Sequence, residues 1–269
     1  SDFRLTSRPP DIWIVAIILG VLAIVTWGAV RVTGQHSRWL PIGMLAIIVV
    51  FVITKSEFLA TELSRFLRST AGRDTSLASV ADVGWLGFSY VAFRIIHTLR
   101  DRQTGTLPDL DLREYLTYVI FFPSFTAGPI DRAERFIKDF RALPDSKGID
   151  SERIVTGSTR IAVGMFKKFV IADTLAIIAL NSTSAEQAVS TPALWILLYG
   201  YAFRLFFDFS GYSDIAIGLA QLMGIHIHEN FKHPYISRNI SEFWRRWHIS
   251  LSTWLRDYLY IPLGGSRKG

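Results

Sequence analysis

From Ile12 to Val30 the chain runs for 19 residues, IWIVAIILGVLAIVTWGAV, without one charged side chain. At about 1.5 Å per residue such a helix is as long as the ~30 Å hydrocarbon layer of a bilayer is thick. The run predicts a spanning helix, and it fixes the solvent in which the rest of the chain has to fold. A second apolar run, Trp39 to Thr54, follows a short connection and reads as the return crossing, so that 12–30 and 39–54 form a transmembrane hairpin. Composition agrees: 50% of the 269 residues are hydrophobic and only 19% are charged, too little charge to coat a soluble domain. The net charge of +6 sits beside apolar and aromatic segments, which suits anionic lipid headgroups and argues against nucleic acid as a partner. With no cysteine, disulfides and thiolate chemistry are excluded. The chain opens on SDFRLTSRPP and stops at GGSRKG in mid-pattern, so it reads as the N-terminal and central part of a longer protein; Ile12–Val30 is too long for the core of a secretory signal. Arg4, Arg8 and the basic residues between Lys55 and Arg73 place the start and the 55–80 region on the cytoplasmic side.

The remaining apolar segments are interrupted by polar residues, and the interruptions carry the information. Gly84–Leu99 holds Arg94 and His97, which are costly in lipid and therefore face protein or water. For His97 a packing or hydrogen-bonding role is favoured over a catalytic one. Tyr115–Ile130 is broken by Pro123, Gly128 and Pro129 and reads either as a re-entrant segment or as a span ended by proline. Asp131–Arg153 is charged and amphipathic and is expected in the aqueous or interfacial layer. Ile161–Leu180 carries Lys167 and Lys168 at its middle, which implies a bend at an interface or entry into a polar cavity; the bend is preferred. Between the runs Ala193–Phe209 and Ile215–Ile225 lies FSGYSD, with Asp208 just before it. This block is either a surface turn or a polar break opening into a cavity, where Asp208 and Tyr212 supply polarity. His226, His228 and His233 lack the spacing and the carboxylates of a metal site, and none is assigned.

The stretch Ser241–Gly265, SEFWRRWHISLSTWLRDYLYIPLGG, is the densest chemistry in the chain. At helical period it puts Trp244, Trp247, Leu251, Trp254, Leu255 and Tyr258 on one side, with Arg246, Ser250, Thr253 and Asp257 opposite. Asn239 and Glu242 have capping-box spacing, and Pro262, Gly264 and Gly265 limit the other end. On this single amphipathic helix His248 falls at the aromatic edge. It is either an interfacial histidine with a local hydrogen bond or a general acid/base, since imidazole changes protonation near neutral pH.

Three stretches, FFPSFTAGPIDR from Phe121, FFDFSGYSDIAIGLAQLMGI from Phe206, and ENFKHPYISRNISEFWRRWHISLSTWLRDYLYIPLGG from Glu229, resemble the membrane-bound O-acyltransferase family, in its bacterial alginate O-acetylation branch. The likeness covers about residues 84–269, the core region. It implies an all-α, polytopic transmembrane fold with re-entrant and interfacial helices, set as a single membrane domain over 1–269 in a bacterial inner membrane. It also implies transfer of an acyl group, such as acetyl, from a donor on one side of the membrane to hydroxyls of an exported polysaccharide on the other. His248 corresponds to the family's first histidine. The second, in a Leu-Trp-His-Gly context, has no counterpart in this chain, so the fragment is expected to be catalytically incomplete.

In this reading His248 is catalytic, and Arg245, Arg246, Trp247, Asp208, Tyr212 and Asn230 contact substrate or shape the cavity. No bound cofactor is implied. The acyl donor, acetyl-CoA or an acyl-carrier protein, is a co-substrate, and the partners are the lipid bilayer and a polysaccharide or a periplasmic acyltransferase. The competing readings are a transporter or channel whose path is lined by Arg94, Lys167 and Asp208, and a non-catalytic scaffold of a polysaccharide secretion complex.

Overall fold

A computed structural model describes residues 12–33, 39–84, 87–143 and 150–265. Arg4 and Arg8 of the orientation argument, residues 85–86 of the third apolar segment and residues 144–149 of the charged connection lie outside these. Among the described residues all regular structure is helical. The chain forms two compact units, residues 1–126 with 132–137 and residues 127–131 with 138–269.

In the first unit, helices α1 (Ile12–Val32) and α2 (Trp39–Lys55) both pack on α4 (Phe88–Thr104). On α1, Leu19, Ala23, Thr26 and Val30 recur at helical spacing and are buried, while Ile17, Ile18, Val21, Ile24 and Val25 are exposed. An apolar outer face of this kind belongs against lipid. Ser56 caps the start of α3 (Glu57–Thr70), which leaves α2 at 93°. Helix α3 is amphipathic and is pinned by Arg68, whose guanidinium bonds both carboxylate oxygens of Asp82 at 2.6 and 3.0 Å. That contact, with Ser64 donating to the same carboxylate, holds the Asp82 pKa down to about 2.

The core of this unit is polar where the chain breaks. Helix α5 (Leu112–Val119) starts with a capping box, Asp111 and Glu114 each accepting from the other's backbone N–H. It stops after eight residues, before Pro123, and its last carbonyls have no partner within the helix. Arg94, only 1% exposed, supplies one. Its guanidinium donates to the carbonyl oxygens of Tyr118 (3.1 Å), Val119 (2.9 Å) and Ser124 (3.0 Å) and to the Ser124 hydroxyl. The expectation that Arg94 turns away from lipid holds, and the reason is specific: a fixed cation closes the C-terminal end of a broken helix. His97 hydrogen-bonds the Tyr118 hydroxyl, the packing role expected of it. The Tyr115 hydroxyl donates to Thr26 of α1 at 3.0 Å and lies 3.3 Å from Thr98 of α4, tying three helices at one buried point. The first turn of α6 (Ala133–Arg141) buries Phe136 against Tyr118 and Phe121.

In the second unit α7 (Ser151–Met165) continues through a π-turn, Phe166–Ala172, into α8 (Asp173–Ile178), and right-handed backbone angles persist across both joins. No break occurs at Lys167 and Lys168, against the preferred expectation of an interfacial bend. After the short α9 (Ser182–Gln187) comes α10 (Thr191–Leu222), 32 residues long. Both readings of FSGYSD, a surface turn and a polar break, are corrected as well, because those residues lie inside this one helix. Among the described residues α10 alone is by itself long and apolar enough to cross a membrane, α1 adds the shorter apolar stretch Ala16–Val32, and α2 with α3 makes one bent pair.

Helices α7 and α10 touch backbone to backbone. A Cβ built on Gly211 would lie 2.7 Å from the Gly164 carbonyl oxygen, and one on Gly218 would lie 2.7 Å from that of Gly157. Seven residues separate the two glycines on each helix, so the pairs recur along one antiparallel seam. This closeness lets short charged pairs form beside the seam. Asp214 accepts from Arg160 at 2.8 Å and from Lys167 at 2.6 Å, while Lys168 bonds Asp208. Both lysines are half-buried and each is paired with a carboxylate of α10.

Two outcomes follow for the folded protein. Arg94→Met leaves the end of α5 uncapped and lowers stability by about 3 kcal/mol or more, with Arg94→Lys intermediate, read by thermal unfolding in detergent. Gly211→Val forces the seam apart and lowers the melting temperature, whereas Gly20→Val, where a Cβ meets nothing within 4 Å, leaves it nearly unchanged.

Candidate active site

The site is built on the second unit, where the chain passes from α10 through residues 225–239 into α11 (Ile240–Arg246) and α12 (Ile249–Leu255). Asn239 caps α11, its side-chain oxygen accepting from Glu242 N at 2.8 Å. Glu242 then reaches one residue further back than a capping box requires, to Arg238 N at 2.9 Å, and its other oxygen takes Arg246 at 2.6 Å. The single amphipathic helix expected over Ser241–Gly265 is not formed. It is two seven-residue helices, followed by a π-turn at Arg256–Tyr260.

The break falls on the candidate histidine. Trp247 is extended and His248 takes left-handed angles, φ 43° and ψ 55°. For a residue with a Cβ that conformation costs about 1–3 kcal/mol and persists only where the surroundings impose it. They do so on both sides of the corner. Lys232 N donates to the Arg246 carbonyl and Ile249 N to the Asn230 carbonyl, each at 2.9 Å, so residues 230–232 run beside 246–249 and bracket Trp247 and His248. The Asn230 side chain, 1% exposed, accepts from Ser250 N at 3.2 Å and Ser250 Oγ at 2.9 Å and donates to Ser213 Oγ of α10 at 3.3 Å. It therefore serves as the cap that α12 lacks in its own sequence.

Aromatic rings set the other walls. The imidazole of His248 stands edge-on to Phe209 of α10, centroids 4.7 Å apart. Phe231 meets both Phe209 and Trp247 at 5.1 Å, and Phe243 stacks on Trp247 at 5.5 Å. Within this packing Nε2 of His248 is buried and has no hydrogen-bond partner among the described residues. Burial pushes the imidazole pKa down to about 4, so the ring is neutral at physiological pH. A buried polar nitrogen with nothing to bond is rare in folded chains and marks a place where a partner belongs.

The sequence-derived residues separate by what they touch. His248, Trp247 and Asn230 come together. Arg246 is spent on Glu242 and the Lys232 carbonyl, and Arg245 is exposed with no ion pair among the described residues. Asp208 is held by Lys168, and Tyr212 is half-buried on α10. Phe209, Ser213, Phe231 and Ser250 were not singled out from the sequence. The spacing of Phe206, Phe209 and Ser213 on one helical stripe could have signalled the two on α10, and nothing local signals Phe231 or Ser250. His226 bonds Asp139, and among the described residues no three metal-ligating side chains converge.

The sequence model of MBOAT, the membrane-bound O-acyltransferase family, matches residues 39–269. The chain belongs to that family. Its similarity to curated members is substantial: 45% identity over 185 residues to a probable alginate O-acetylase of Pseudomonas putida, covering 68% of this chain and 37% of that protein. A probable alginate O-acetylase of Pseudomonas syringae pv. tomato is 38% identical over 275 residues, 94% of this chain and 49% of its own length. A teichoic acid D-alanyltransferase of Streptococcus thermophilus is 38% identical over 186 residues, 67% of this chain and 44% of its own. The chain spans about half the length of the curated relatives it matches, or less. The family resemblance read from the FWRRWHISLS stretch is thereby borne out, and the match includes the whole His248 corner.

The titration of His248 has a definite sign. Its folded pKa lies below the unfolded value of ~6.5, so between those values the unfolded chain binds more protons. The contribution to stability is complete above about pH 6.5 and is lost as pH falls toward 4. Melting temperatures from pH 8 to 4 show this decline in the wild type, and His248→Gln flattens it.

Proposed function

We propose that the protein is a multi-pass O-acyltransferase of a bacterial inner membrane that esterifies hydroxyl groups of an exported polysaccharide. The buried, unpartnered Nε2 of His248 carries the reading. A neutral imidazole beside α10 is placed to accept a hydrogen bond from an acceptor hydroxyl and to take its proton as the oxygen attacks the acyl carbonyl. The bond to the donor's sulfur then breaks, the imidazolium gives its proton to the departing sulfur, which leaves as a thiol, and the ester and a neutral imidazole remain. The donor is an acyl thioester, coenzyme A or a carrier protein, with Arg245 exposed to meet its charge. The names of the relatives, alginate O-acetylase and teichoic acid D-alanyltransferase, support a polymer acceptor.

The permeation reading loses its main support in the ion pairs. Arg94 is closed by carbonyls, and Lys167 and Lys168 are answered by Asp214 and Asp208. Those side chains serve as ties between helices.

Transfer of a labelled acetyl group to polymer in membranes carrying the full-length protein tests the proposal. His248→Ala is expected to lower the rate by about 10²–10⁴-fold, the range typical of acid–base groups. Full activity in the variant would remove the histidine from the chemistry, and substrate flux without acyl transfer would favour a transporter.

A further inference from the structure

The strain at His248 has to be held by something, and the contacts identify what holds it. Glycine or asparagine adopts left-handed angles far more readily than histidine. The corner survives because its two flanking peptides are tied to one neighbouring segment, and one side chain in that segment makes three further bonds. The Asn230 amide reaches Ser250 through its oxygen and Ser213 of α10 through its nitrogen. Glu229, the residue before it, bonds Arg160 of α7 at 2.6 and 2.5 Å. The segment that grips the corner is thus anchored to both helices of the glycine seam.

We propose that Asn230 is the positioning residue for His248: it caps α12, fixes the left-handed corner and keeps the imidazole edge-on to Phe209. It does not touch substrate. Its side-chain oxygen accepts twice from Ser250, its amide nitrogen donates to Ser213 and its own carbonyl accepts Ile249 N, so these contacts all run within the protein. The inference rests on the acyltransferase reading only for what the histidine does once positioned. The clamp itself is a matter of geometry.

Two readouts separate those levels. The first is chemical modification of His248 by diethylpyrocarbonate at pH 7, followed by peptide mass mapping of the full-length protein in its membrane. Wild-type His248 is expected to react slowly because Nε2 is covered. Asn230→Ala reacts at least about tenfold faster, a factor that the loss of even one such hydrogen bond in an opening equilibrium accounts for. Asn230→Asp, which keeps both acceptor contacts to Ser250, stays near the wild type. Ser213→Ala, a milder change that keeps the fold in play should Asn230→Ala not accumulate, moves in the same direction by less. The second readout is acyl transfer, where Asn230→Ala lowers kcat about 10²-fold with little change in KM, as a misplaced catalytic group does. Unchanged modification of His248 in both Asn230→Ala and Ser213→Ala would overturn the positioning role. Faster modification with no acyl transfer even in the wild type would keep the clamp and sink the enzymatic reading instead.

Discussion

The backbone contact between α7 and α10 is the constraint on which the second unit depends. Two helices can approach until their carbonyl oxygens would strike a Cβ only where glycines face each other, and Gly157, Gly164, Gly211 and Gly218 do so in two pairs. The close approach brings Asp214 within reach of both Arg160 and Lys167, and Asp208 within reach of Lys168. Charges that would be prohibitive against lipid become cross-links. Arg160 also bonds Glu229, so the same seam orients the segment that carries Asn230, and through it the His248 corner.

The first unit solves a different problem with the same economy. A helix stopped after one or two turns exposes carbonyls that hydrocarbon cannot solvate. Arg94 meets two of them, and the Ser124 carbonyl of the following turn, from the middle of α4, so an arginine in an apolar segment and a proline 29 residues later are two halves of one arrangement.

Much of this was legible in the sequence, because burial in a membrane writes itself as long apolar runs. The helices at 12–32 and 39–55, the inward-turned Arg94 and the family likeness around His248 all follow from local pattern. The partners of Lys167 and Lys168 did not, since they sit about forty residues away and a run of polar residues looks the same in a loop as on the inner face of a helix. FSGYSD was read as a surface turn or a polar break for that reason: Gly211 and Ser213 signal a turn by composition, but here Gly211 lets α7 approach and Ser213 accepts from Asn230. The split of 241–265 was hidden too. Helical periodicity is intact across Trp247 and His248, and the contacts that hold the corner come from residues 230–232, earlier in the chain.

The π-turn at Phe166–Ala172 has a consequence for how this rod could have arisen. Neighbouring residues on an ordinary helix point about 100° apart, so Lys167 and Lys168 could not both meet the same facing helix squarely. A wider turn amounts to one residue slipped into the spiral, and it rephases everything downstream by that angle. The segment Asp173–Ile178 therefore presents to α10 a face that a helix one residue shorter would have turned aside. An insertion that reads as a local irregularity acts at long range, as a gear offset by one tooth.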